Sequence, residues 1–179
     1  MNTLDYCKKI RYQKTILFLK KHIPPPCKIL DLGTPNDFSE IMKNNGYEVE
    51  NTQGQNLDVN FKIVSDSDAD VITAFEIFEH MLAPFNLLNS IKNKKLIASV
   101  PLKLWFASAY WNENDDWDKH YHEFEPKQFE LLLKRSNWSI IQSEKWTSYH
   151  PRKFGFRPIL RRFYPRYYIA YCEKANQLI

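Results

Sequence analysis

The chain has 179 residues, 44% of them hydrophobic and 15% aromatic, with a formal charge of +4, and that balance excludes a disordered polymer and predicts a folded domain with a sizeable core. No apolar run is long enough to cross a bilayer and the start of the chain lacks a secretory-signal pattern, so the reading is a cytoplasmic protein. Three widely spaced cysteines, Cys7, Cys27 and Cys172, lack metal-ligand spacing and read as reduced structural thiols, with no zinc site.

Leu4, Cys7, Ile10 and Leu17 recur at helical spacing, which predicts a helix within residues 1–23, stopped by Pro24, Pro25 and Pro26. Residues 28–37, Lys-Ile-Leu-Asp-Leu-Gly-Thr-Pro-Asn-Asp, read as a buried strand, a sharp turn at Gly33 and a helix capped by Asn36 or Asp37. Phe38, Ile41 and Met42 give that helix its apolar face, and Gly46 ends it. Residues 47–52 alternate as a second strand, with Tyr47 and Val49 inward. Residues 53–70 hold no amphipathic helix, only a short strand at 61–64 and an acidic turn. Residues 71–75 form a strand that runs through 76–80 into a loop, and Pro84 opens a helix with Phe85, Leu87, Leu88 and Ile91 on its apolar side.

Residues 95–100 are a buried strand closed by Pro101, and Pro126 starts a helix with Phe129, Leu132 and Leu133 facing in. The last strands, 139–146 and 167–172, are separated by a basic stretch without an evident apolar helix, so they suit an antiparallel hairpin at one end of the sheet. Strands alternating with helices predict an α/β fold: one domain over residues 1–179, a Rossmann-like, doubly wound, mostly parallel sheet with helices on both faces and a C-terminal antiparallel strand.

In this order of parts the chain resembles the class I S-adenosylmethionine-dependent methyltransferases. Ile29-Leu30-Asp31-Leu32-Gly33 is similar to the family's first motif, and Gly46-Tyr47-Glu48-Val49 to the start of its second strand. Residues 70–80, Asp-Val-Ile-Thr-Ala-Phe-Glu-Ile-Phe-Glu-His, are close to its fourth strand. His120-Tyr121-His122-Glu123-Phe124-Glu125-Pro126 resembles the region before its sixth in small-molecule members. The resemblance implies S-adenosylmethionine as cofactor, with Asp31 supporting the turn and the cofactor's ammonium end, and Gly33 and Thr34 allowing close approach. It places the ribose near Gln53, with Asp58 or Glu50 as a substitute, and the adenine wall on Leu57, Asp58 and strand residues such as Phe75. The acceptor's proton would go to Glu79, His80, His120 or His122, although Glu79 equally suits a brace for the helix that follows.

The chain departs from the family's D-x-G-x-G-x-G pattern: Pro35 and Asp37 stand at two glycine positions and add bulk beside the cofactor's path, and Gln53 stands where an acid is usual. Those departures support an alternative, a cofactor-free methyltransferase-fold module that binds or scaffolds. A nucleotide-dependent enzyme of another Rossmann type ranks third, because the turn lacks the glycines that admit a pyrophosphate.

Two further stretches bear on partners. Residues 102–124 are long and aromatic, suiting either a lid over a small-molecule or glycan-like acceptor or a loop pinned to the core. Residues 152–166 carry Arg152, Lys153, Arg157, Arg161, Arg162 and Arg166 and no acid. They suit a phosphorylated substrate, a peripheral membrane contact or a merely solvated loop. No RNA- or DNA-binding module is present, so nucleic acid is not expected.

Overall fold

The computed structural model describes residues 3–92, 94–151, 153 and 155–175, the side chains of residues 3–5 apart, so the readings on Leu4 and Arg152 lie outside the described residues. Its sheet comprises β1 (Lys28–Asp31), β2 (Glu48–Asn51), β3 (Val71–Phe75), β4 (Lys95–Pro101), β5 (Trp138–Thr147) and β6 (Pro165–Lys174). The six strands lie in the order β2-β1-β3-β4-β6-β5. β2, β1, β3 and β4 are mutually parallel, whereas β6 inserts antiparallel between β4 and β5. This is the mostly parallel α/β sheet with an antiparallel end that the alternation predicts.

Both faces of the sheet are covered, because successive side chains along a strand point to opposite sides. Ile29, Val71, Ile97 and Ile169 face α1 (Thr3–His22) and α2 (Asp37–Asn44), meeting Phe18, Leu19, Phe38 and Met42. Their neighbours Leu30, Ile72, Leu96 and Ala170 face the other way, toward α3 (Lys62–Ser65), α4 (Pro84–Ser90) and α5 (Pro126–Arg135), meeting Val64, Leu87, Leu88, Phe129 and Leu133. α2 is set by Asn36, whose side chain accepts from Phe38 N at 2.8 Å and Ser39 N at 3.3 Å.

Four readings are corrected. The strand expected at 61–64 is helix α3: a turn of helix puts Val64 into the core and leaves Lys62 exposed. The basic stretch is not all loop, since α6 (Phe156–Phe163) forms within it; Pro158 falls in the first turn, where a missing N–H costs nothing. In α1 Leu17 points to water, 67% exposed, and Thr15, Phe18 and Leu19 are the buried face. In α4 Phe85 is exposed while Leu87 and Leu88 are buried.

Candidate functional site

The carboxyl ends of β1, β3 and β4 open onto a cleft of about 370 Å³ that α1 closes from the side. Asp31 ends β1 and is 3% exposed. Its Oδ1 accepts from Thr73 Oγ1 at 2.6 Å, and its Oδ2 from Asn51 Nδ2 at 3.1 Å and Ser39 Oγ at 3.4 Å. Burial pushes the carboxyl up to about 6, against the pull of those three donors. Asp31 thus ties β1 to β2, β3 and α2 and holds the turn that follows. Gly33 takes φ +111 there and donates its N–H to Thr52 Oγ1 at 2.7 Å; an added Cβ would lie 3.3 Å from Ile77 Cδ1.

Across the cleft, Glu76 leaves β3 at φ 58, in the left-handed region. Its N–H donates to Ser99 O at 3.0 Å, and Ser99 Oγ donates back to Glu76 Oε1 at 2.8 Å. Arg11 of α1 reaches Glu76 Oε2 at 3.4 Å with its guanidinium over the ring of Tyr167. Burial raises the Glu76 carboxyl and Arg11 opposes the rise. Tyr12, Phe38 and Phe75 form an aromatic wall, with ring centroids 5.0 Å apart for the first pair and 5.2 Å for the second.

Of the residues proposed from sequence, Asp31, Gly33, Thr34, Phe75 and His80 line this cleft. Gln53 does not: its Nε2 turns back to Asn51 O at 3.1 Å. Nor does Asp58, which accepts from Leu82 N at 3.0 Å and Ala83 N at 2.7 Å and so caps the approach to α4. The hydrogen-bond geometry, not the acidity, claims that carboxylate. Pro35 and Asp37 are exposed outside the lining, and Asp37 pairs with Lys8 at 2.6 Å.

Glu79 sits behind the cleft, 1% exposed, with its carboxyl raised well above the ordinary range by burial and then by Glu76. His80 and His120 meet edge to face at 4.8 Å, and His120 is held down mainly by burial. His122 stands apart, half-buried, its Nε2 3.4 Å from Leu82 O. Residues 102–124 contribute nothing to the cleft lining but join its histidine end: Tyr121 N and His122 N donate to Glu79 O, and Lys119 O meets the His80 ring. Leu102, Leu104 and Phe124 anchor this segment in the core, while Trp105, Trp111 and Trp117 remain in solvent.

Sequence reasoning missed Arg11, Tyr12, Glu76 and Ser99. Glu76 and Ser99 carried a signal, as polar residues at the carboxyl ends of buried strands. Arg11 carried none, because only the docking of α1 brings it to the cleft.

No protein-family model matches the chain, and no curated protein sequence does. Solved structures match at low identity. An S-adenosylmethionine-dependent methyltransferase from Archaeoglobus fulgidus superposes with a TM-score of 0.61 at 15% identity, covering 96% of this chain and 99% of that one. One from Mesorhizobium loti gives 0.57 at 13% identity, over 88% and 96%. A Haemonchus contortus phosphoethanolamine N-methyltransferase bound to S-adenosylmethionine gives 0.61 at 11% identity, over 92% of this chain and 53% of that one.

Proposed function

We propose that this chain, which has the class I S-adenosylmethionine-dependent methyltransferase fold, transfers a methyl group from that cofactor to a small-molecule or glycan-like acceptor. One observation carries the proposal: the cleft beside Gly33 stays open although two motif glycines are replaced, because Pro35 and Asp37 turn to solvent. A volume of about 370 Å³ lies within the range of small-molecule sites.

The residues present suit the cofactor. Gly33 offers bare backbone, Glu76 offers a carboxyl to a cationic amino-acid end, and Tyr12, Phe38 and Phe75 offer flat apolar surface to a purine. Once bound, the cofactor supplies a methyl carbon on a positively charged sulfur. The chain's own part is alignment and exclusion of water, with Arg11 holding Glu76 in place, α1 covering the side, and the Glu79, His80 and His120 group serving the acceptor end.

Titration calorimetry with S-adenosylmethionine and S-adenosylhomocysteine tests this. Saturable micromolar binding is expected, weakened at least tenfold in Gly33→Val, where a β-branched residue at φ +111 costs about 1–3 kcal/mol of backbone strain and meets Ile77. Circular dichroism checks that the variant folds. Neither heat nor a thermal shift at millimolar ligand would favour the cofactor-free binding module.

A second reading concerns α6, which packs against β5 and β6 and buries none of its residues. Phe156, Ile159 and Phe163 are 68%, 55% and 71% exposed, Trp105 packs edge-on against Phe156, and Arg157, Arg161 and Arg162 share the helix. Apolar side chains flanked by arginines complement an anionic lipid surface, where each basic residue is worth about 1 kcal/mol. None of these arginines lines the cleft, so a bound phosphate group is less well served than a membrane. Co-sedimentation with phosphatidylserine vesicles should weaken ~30-fold in the double variant Arg161→Gln, Arg162→Gln. Equal binding to neutral vesicles would end this reading.

A further inference from the structure

We propose that Glu79, His80 and His120 form a site for a first-row divalent cation at the histidine end of the cleft. One ligand atom from each lies within 4.8 Å of the others. Ligands of such a cation stand roughly 3–3.5 Å apart, so side-chain rotation of about an ångström completes the set.

The hydrogen bonding decides which atoms are available. His80 Nδ1 lies 3.1 Å from the carbonyl oxygen of Lys119. A carbonyl only accepts, so Nδ1 carries the proton and the Nε2 lone pair is free. That Nε2 lies 3.7 Å from Glu79 Oε1, too far for a hydrogen bond and on the side where a shared cation would sit. His120 repeats the arrangement: Nδ1 meets Glu123 Oε1 at 3.1 Å, a carboxylate partner that again leaves the far nitrogen as the donor to a metal. Outer partners of this kind are how metal-binding imidazoles are oriented and made more basic.

Glu79 supplies the independent observation. Its side chain is 1% exposed, and Oε2 is buried with no hydrogen-bond partner. An unsatisfied carboxyl oxygen in that setting costs several times what an ordinary hydrogen bond returns, unless a cation satisfies it. One carboxylate with two imidazoles favours manganese, iron or zinc over magnesium or calcium. His80 lines the cleft, so the coordination positions left open face an acceptor; this last step rests on the methyl-transfer proposal, whereas the cation site does not.

Chelator-stripped full-length protein titrated with manganese(II) chloride, followed by electron paramagnetic resonance of the free ion, tests the site. One ion per chain is expected, with affinity at least tenfold lower in Glu79→Gln and in His120→Ala, both checked for native circular dichroism. No binding tighter than about 1 mM by the folded wild type, or binding unchanged in both variants, overturns the site. The cofactor titration is read separately. Manganese binding without S-adenosylmethionine binding keeps the site and removes the methyl-transfer reading, and the converse result does the opposite.

Discussion

Replacing Arg11 with methionine should destabilise the fold by about 3 kcal/mol, the lower end for a broken buried pair, since the arginine side chain keeps 27% exposure and Glu76 14%. The loss comes less from the ion pair than from what it leaves behind, a carboxylate shielded from water with Ser99 as its remaining donor. The sign with pH follows. Glu76 already titrates above its ordinary value, so the folded protein keeps a proton that the unfolded chain releases, and stability falls as pH rises from the ordinary carboxylate range through the folded value. Without Arg11 that folded value rises further. Urea melts should therefore show a smaller deficit at about pH 5 than at about pH 8, and Glu76→Gln should remove most of the deficit in the double variant. A deficit equal at both pH values, or untouched by Glu76→Gln, would show that Arg11 acts through packing on Tyr12 and Tyr167 instead.

Trp138→Ala should cost as much or more, ~3–5 kcal/mol, and leave the cleft intact. Trp138 begins β5 with 2% exposure, packed in the cluster of α4 and α5. Its Nε1 donates to Leu88 O at 3.1 Å, and the Lys174 ammonium lies 4.5 Å from the ring centroid. The large cavity is the main cost. Trp138→Phe should return much of the packing and lose the hydrogen bond, at ~1–2 kcal/mol. Denaturant midpoints measure both. Cofactor affinity measured well below the melting temperature should be unchanged in each, and a fall there would place β5 in the binding energetics.

The sheet was legible because its strands carry paired signals. Ile29 and Leu30, Val71 and Ile72, and Leu96 and Ile97 are adjacent apolar residues that face opposite layers, which is how a strand buried on both sides must read. The turn at Gly33 was legible too, since Asp31, Gly33 and Asn36 each do work that few other residues can. What failed was local preference set against packing. Phe61, Ile63 and Val64 look like a strand, but a turn of helix is what carries Val64 into the core. α6 went unread because its arginines outweigh its apolar side chains, and Pro158 does no harm in its first turn. The resemblance puts Gln53 at the ribose with Asp58 as a substitute, but Gln53 turns back to its own strand and the start of α4 claims the oxygens of Asp58. Arg11 and the meeting of His80 with His120 are products of tertiary docking, which no local pattern encodes.

One wall of the cleft belongs to α1, through Arg11, Tyr12 and Thr15, and α1 joins the sheet through the proline stretch 24–26. Any molecule seated there is clasped between the chain's opening segment and the rest of the body. Occupancy and fraying of that segment are then two faces of a single equilibrium, so amide exchange along α1 should slow as the guest's concentration rises above its dissociation constant.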